Sequence, residues 1–325
     1  MKFAVVGAGA IGGFVGAMLS RAGEDVTLIA RGANLQAMSK DGLRVRGEVG
    51  DFVAHPHVTE DLAELRDTDV AILTLKAHSL VDIAPALGSA LGPNTALVCA
   101  QNGIPWWYFH QHAGPFKDWN LETADPGQII AKNLGYQRAI GCVIYCSTEI
   151  REPGVIEHLE GIRFAIGEPD YTRSERCRNI AAAFIKAGLR CPIRTNIRHD
   201  IWVKLLGSVA FNPLSAITRG TLIDIVSCPE TRTLARNLML EADSVAKALG
   251  IDVAITIEQR LQGAESVGPH KTSMLQDVEA GRPLELEPIV GAVAELAGLL
   301  RIQVDNIRAV FACTKLLALK LRENQ

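Results

Sequence analysis

An α/β domain followed by an all-α domain is the fold class this chain predicts, and three observations lead to it. The N-terminal run Phe3-Ala4-Val5-Val6 leads straight into a glycine cluster and then a helical pattern. Further apolar runs of strand length follow, separated by helical stretches. From Arg198 onward only amphipathic helical patterns remain. At 325 residues the chain fits two cores better than one. The expected division is 1–196 for the α/β part and 197–325 for the helical part.

The first 32 residues carry the sharpest local signal. Gly7-Ala8-Gly9-Ala10-Ile11-Gly12 follows the first strand at once, and Ala10 to Arg21 reads as a helix closed by Gly23. Gly7 permits the tight turn, and Gly9 lets backbone approach a pyrophosphate. Gly12 lets the helix lie close to the strand. The N–H groups and positive dipole end of the first helical turn then suit phosphate. With Val26 to Ala30 as a second buried strand, the stretch reads as a Rossmann-type dinucleotide site. The residue after that strand selects the cofactor. An acid there would bind the adenosine ribose of NAD, but the chain has Arg31. Arginine pairs bidentately with a 2′-phosphate, so the expected cofactor is NADP(H); a solvated loop arginine is the alternative.

Composition narrows the class. Apolar residues make up 48% of the chain, which excludes global disorder. A formal net charge of −3 offers no basic field for nucleic acid or anionic lipid. No uninterrupted apolar run reaches the ~18 residues of a membrane span, and the N-terminus reads as a strand rather than a signal peptide. The seven cysteines include no CxxC pair, as expected of reduced thiols in a cytoplasmic protein. The eight histidines show no HExxH or other close ligand set, so no metal is expected.

The remaining elements follow in order. Leu43 to Gly47 and Asp51 to Val53 predict a short hairpin. Asp69 to Leu75 is a continuous apolar strand of the kind buried on both faces of a parallel sheet, ending in Lys76-Ala77-His78. A helix to about Leu91 and a strand from Thr95 to Ala100 follow, the latter ending in Gln101-Asn102-Gly103. These polar strand ends mark the sheet edge where ligands lie in open α/β folds. The segment 105–132, with Trp106-Trp107-Tyr108-Phe109, lacks periodicity. It reads as a lid, a self-association element or a surface loop anchored by its aromatics. Three strand-like runs, Ala139 to Thr148, Gly154 to Leu159 and Arg163 to Ile166, precede a helix over Ser174 to Ala187 and a short strand near Cys191.

The helix from His199 to Ala216 is apolar on most of its surface, yet Lys204, Ser208 and Asn212 recur every four residues as one polar row. A lysine in such a helix either snorkels to water or is desolvated in a cleft, where it becomes a useful proton donor. Glu285 stands just ahead of a helix opened by Pro288. By itself it reads as a charge stabilising that N-terminus.

Five blocks give the chain a resemblance to the ketopantoate reductase (2-dehydropantoate 2-reductase) family. They are GAGAIG, LTLKAH, QNG, IWVKLLGSVAFNPLSAI and KTSMLQDVEAGRPLELE, in the family's order across nearly the whole length. The resemblance implies a Rossmann domain, a helical domain and an active site in the cleft between them. It implies NADPH-dependent reduction of a 2-oxo acid, 2-dehydropantoate to pantoate, on the route to pantothenate. Lys204 would be the general acid, Asn212 and Ser208 would face substrate polar groups, and Ser273 would bind substrate carboxylate. Glu285 would contact substrate or the nicotinamide ribose. Lys76 and Asn102 would line the cofactor cleft, Asn102 reaching both ligands. The chain departs from the family at Ser208, where asparagine is usual. Thr218-Arg219-Gly220-Thr221 also lacks an asparagine expected for substrate binding. These changes leave the reaction type intact and put substrate identity in question.

Two other functions compete with this one. One is an NADP-linked dehydrogenase of another 2-oxo or 2-hydroxy acid, or of an opine-type substrate. The other is a regulator that senses NADPH without turnover. The expected partner is a small-molecule 2-oxo acid, with no nucleic acid and no membrane, and with a homodimer left open.

Overall fold

The computed structural model describes residues 1–114 and 116–323. Its chain divides into two compact units: residues 1–101, 107–119 and 127–197 form the first, and 102–106, 120–126 and 198–325 the second.

The first unit is built on a nine-stranded sheet. Its strands are β1 (Lys2–Val6), β2 (Asp25–Ile29), β3 (Leu43–Gly47), β4 (Phe52–Ala54), β5 (His57–Thr59), β6 (Val70–Leu73), β7 (Ala96–Cys99), β8 (Ala139–Glu152) and β9 (Val155–Gly167). They lie in the order β4-β3-β9-β8-β7-β6-β1-β2-β5. From β8 to β5 every neighbouring pair is parallel. Apart from the β3–β4 hairpin at the far edge, the chain runs from β1 through β2 to β5 on one side and from β6 through β7 and β8 to β9 on the other, which makes the gap between β1 and β6 the topological switch point. The α-helices of this unit among the described residues are α1 (Ala10–Arg21), α2 (Gly32–Asp41), α3 (Ala77–Ala90), α4 (Ile129–Leu134) and α5 (Glu175–Lys186). Strands β1, β6 and β7 are apolar throughout their cores because both sheet faces are covered. Beneath them Phe14, Val15, Met18 and Leu19 of α1 join Phe164 and Phe184 in one apolar core.

The predicted hairpin forms as β3 and β4. Two expectations change. The runs Gly154 to Leu159 and Arg163 to Ile166 are not separate strands but parts of the single β9, paired antiparallel with β8. Gly161 interrupts the pattern without ending the strand. Its φ of +75 absorbs an irregularity in register near Tyr145, where a Cβ would lie 2.7 Å from the Tyr145 carbonyl oxygen. Near Cys191 there is no strand, only isolated bridges from Arg163 to Arg190 and from Ile166 to Ile193. The aromatic run is well inside the protein: Trp106, Trp107, Tyr108 and Phe109 are each buried. The boundary between units falls within it, with Trp106 in the second unit and Trp107 in the first.

The second unit is helical: α6 (Ile197–Thr218), α7 (Leu222–Ser227), α8 (Pro229–Ala248), α9 (Ile257–Val267), α10 (Ser273–Glu279), α11 (Ala292–Leu300) and α12 (Asp305–Glu323). A π-helical segment, Glu287–Gly291, runs directly into α11. By length and composition α6 passes as a membrane-crossing helix, but 67% of its most apolar window is buried within the protein. Trp202, Leu205, Leu206, Val209 and Ala210 of α6 make it the core of this unit.

Candidate active site

The glycine motif sits at the switch point, in the first unit. Strand β1 ends at Val6, and α1 begins at Ala10 with Gly9 as its N-cap. A Cβ on Gly12 would fall 2.0 Å from the Gly7 carbonyl oxygen and 2.4 Å from Thr74 Oγ1, so helix, turn and neighbouring strand end meet there without space for a side chain. Thr74 Oγ1 donates to the Gly7 carbonyl at 2.7 Å, and its N–H donates to Val6 at 3.1 Å. Thr74 was not singled out from sequence. It stands one residue past β6, and only the β1–β6 pairing reveals that it braces the glycine turn.

The N-terminus of α1 is open. Gly9 offers no side-chain cap, no acid stands in the first turn, and nothing lies within 4 Å of where a Gly9 Cβ would be. Ala8 is buried and donates its N–H to the Ile29 carbonyl, joining the turn to β2, while Ala10 and Ile11 are half-buried. Arg31 is exposed at the N-cap of α2, immediately beyond β2. Lys76, half-buried, is the N-cap residue of α3 beyond β6. Gly7 to Gly12, Arg31 and Lys76 are thus carried on the carboxyl ends of three adjacent strands. An uncapped helix terminus fits a pyrophosphate, and an exposed guanidinium past β2 fits a phosphorylated ribose.

The second unit brings together Asn102, Lys204 and Glu285. Lys204 Nζ donates to Asn102 Oδ1 at 2.8 Å, and Asn102 Nδ2 donates to Glu285 Oε2 at 3.0 Å. The carboxylate thereby fixes which way the amide faces, and the amide carbonyl fixes the ammonium. All three side chains are half-buried. Asn102 is seated by its own neighbours: Ile104 N–H donates to the Pro288 carbonyl at 2.8 Å, and a Cβ on Gly103 would be 2.2 Å from that oxygen. Strand-end residues 102–106 are thus clamped onto the π-helical segment that Glu285 precedes. Such segments are uncommon and often occur at functional positions.

The polar row on α6 forms as expected from its spacing, with Lys204, Ser208 and Asn212 all half-buried among fully buried neighbours. Ser208 Oγ turns back onto the Lys204 carbonyl at 3.2 Å, a habit of hydroxyls within helices. Pro213, next to Asn212, lies inside α6 and has no N–H to give the helix. Ser273 is the exposed first residue of α10. Its neighbour Thr272 caps that helix and meets Ser215 of α6 through a buried hydroxyl pair at 2.9 Å. Ser215 and Thr272 went unnoticed in the sequence. Small hydroxyl residues are common at helix ends, and nothing local signals that these two pair.

Residues 3–171 match the family model described as ketopantoate reductase PanE/ApbA, and residues 196–318 match the ketopantoate reductase PanE/ApbA C-terminal model. The chain is 45% identical to a 2-dehydropantoate 2-reductase of Mesorhizobium japonicum over 321 residues, covering 98% of each protein. A solved structure from Ralstonia solanacearum MolK2, described as a candidate ketopantoate reductase, superposes with a TM-score of 0.93 at 34% identity, over 99% of this chain and 98% of that one. The 2-dehydropantoate 2-reductase of Methylococcus capsulatus superposes with a TM-score of 0.83 at 31% identity, over 99% and 98%. With both units matched and relatives spanning the full length, the chain belongs to the ketopantoate reductase (PanE/ApbA) family and is an oxidoreductase acting on CH–OH groups.

Proposed function

We propose that the protein reduces 2-dehydropantoate to pantoate with NADPH and that Lys204 is the general acid. The observation that carries this reading is the Lys204–Asn102–Glu285 chain, at 2.8 and 3.0 Å. Reduction of a 2-oxo acid needs a hydride at the carbonyl carbon and a proton at its oxygen. An ammonium aimed by a fixed amide suits the second requirement, polarising the carbonyl and then giving up its proton to the forming alkoxide. Bound NADPH supplies the hydride, and it is the cofactor used by the family. The name carried by the relative at 45% identity supports the substrate.

The other residues take roles consistent with their places. The α1 terminus and the Gly7–Gly12 turn hold the pyrophosphate, and Arg31 pairs with the 2′-phosphate that distinguishes NADPH from NADH. Lys76 lies on the same strand-end edge, suited to the cofactor. Asn102 and Glu285 orient Lys204 and contact bound ligands. Asn212, one turn beyond Ser208, and Ser273, at the start of α10, hold polar groups of the substrate, Ser273 its carboxylate. Ser208 lies on the same row, its short hydroxyl bonded back to the Lys204 carbonyl, and would face the substrate from there.

A panel of 2-oxo acids of graded size tests the reading, with NADPH oxidation followed by loss of reduced-nicotinamide absorbance. The expected result is a kcat/KM for 2-dehydropantoate above that of every other panel member. Equal or better turnover of an unbranched acid would sink the substrate assignment. No turnover of any acid would sink the reaction.

A further inference from the structure

Helix α6 has a glycine where glycine is a poor choice. Gly207 lies inside this 22-residue helix, three residues past Lys204 and one before Ser208, and mid-helix glycine is destabilising. The space it leaves is used. A Cβ at Gly207 would stand 3.0 Å from Arg260 Nη2, 3.4 Å from Arg260 Cζ and 3.5 Å from Arg260 Nε. The guanidinium therefore occupies the volume a side chain would fill.

From that position Arg260 Nη2 donates to the Val203 carbonyl at 2.7 Å and to the Lys204 carbonyl at 3.3 Å. Ser208 Oγ donates to the same Lys204 carbonyl. Charge-assisted bonds of this kind are shorter and stronger than neutral ones. The backbone that carries this donor is itself held. Arg260 sits in the first turn of α9, which opens with a reciprocal Thr256–Gln259 capping box, and Arg260 N–H donates to the Thr256 carbonyl at 3.0 Å.

We propose that Arg260, seated over Gly207, is a positioning residue for the reduction: it sets the roll and height of the α6 turn that aims Lys204. A roll of one residue swings a helical side chain by about 100°, so two successive carbonyls held by one guanidinium restrict the ammonium's direction. The inference rests on the assignment of Lys204 as general acid. Arg260 acts through Lys204 and needs no contact with substrate.

A double-mutant cycle tests it. Steady-state kinetics with NADPH and 2-dehydropantoate are compared for wild type, Arg260→Ala, Lys204→Ala and the double variant. Arg260→Ala should lower kcat about tenfold while KM for the 2-oxo acid moves less than about threefold. In the Lys204→Ala background the same substitution should cause no further loss, because its effect passes through the lysine. Additive losses, or an unchanged kcat, would overturn the positioning role. Full kcat in Lys204→Ala would sink the general-acid assignment itself, and Arg260's role with it, so the two failures read differently. Gly207→Ala keeps the test decisive if Arg260→Ala does not fold. Alanine favours the helix but crowds the guanidinium, so Tm should hold or rise while kcat falls several-fold, again with no effect in Lys204→Ala. Wild-type kcat in Gly207→Ala would count against the role.

Discussion

Asn102 Nδ2 donates to Glu285 Oε2 at 3.0 Å across 183 residues of sequence. The bond decides the direction of the amide, leaving its carbonyl for Lys204 Nζ. A carboxylate is an acceptor only, so the amide cannot reverse without losing both partners. Glu285→Gln removes that certainty, because a glutamine side chain can present either oxygen or nitrogen. The expected outcome is a kcat at least about tenfold lower, with the thermal midpoint near wild type. A kcat within twofold of wild type would show that the carboxylate does not orient the pair.

Lys204→Ala should lower kcat by about 10²-fold or more, the range for losing a general acid, with NADPH affinity unchanged. Lys204→Arg keeps the charge but does not release its proton at usable pH. Substrate binding should therefore persist without turnover. Near-full kcat in the arginine variant would mean that charge alone suffices.

Arg31→Ala tests cofactor choice. Losing a charge-assisted contact to a 2′-phosphate costs about 1.5–3 kcal/mol, or roughly 10- to 100-fold in affinity. NADPH should weaken by that factor in a direct binding titration, and NADH should hardly change. Equal losses for both cofactors would reduce Arg31 to a loop residue.

Two glycines of the first turn should separate fold from binding. Gly12→Ala places a Cβ about 2 Å from the Gly7 carbonyl oxygen and 2.4 Å from Thr74 Oγ1, overpacking that costs about 1–3 kcal/mol or more. Its melting temperature should fall. Gly9→Ala meets nothing within 4 Å, so melting should be unaffected while NADPH affinity drops, because the methyl group intrudes where the pyrophosphate approaches. A Gly9→Ala protein that binds NADPH normally would remove Gly9 from the phosphate site.

Thiol chemistry offers a check on packing. Burial, with the nearby Glu168 carboxylate adding to it, pushes the Cys177 thiol up to about 12, and burial pushes the Cys191 thiol up as well. A thiol with a raised pKa stays protonated and poorly nucleophilic at neutral and mildly alkaline pH. In the native protein Cys228 and Cys313, both exposed, should react promptly with a thiol-specific chromophore, whereas Cys177 and Cys191 should wait for denaturation. Rapid modification of Cys177, located by mass spectrometry, would contradict the packing around α5.

The sequence by itself determined the fold class and the local signals of the site. Continuous apolar runs of strand length mark strands, while the four-residue spacing of Lys204, Ser208 and Asn212 puts them on one face of a helix whatever surrounds it. The tight turn at Gly7 and the close helix approach at Gly12 were legible because both follow directly from the missing Cβ. Tertiary structure alone decided what lies between distant segments. No local pattern ties Asn102 to Glu285, or Ser215 to Thr272, because a hydrogen bond between side chains far apart in sequence leaves no periodicity behind. The two strand-like runs on either side of Gly161 form one strand because β8 pairs along both of them. Nothing local in the sequence pairs Gly207 with Arg260, which comes from another helix and fills the space that the missing side chain leaves. Residues 102–106 and 120–126 likewise pack with the helical unit though the chain places them amid the α/β one. Sequence sets what each segment can become, and close packing of one segment against another decides which side chains meet.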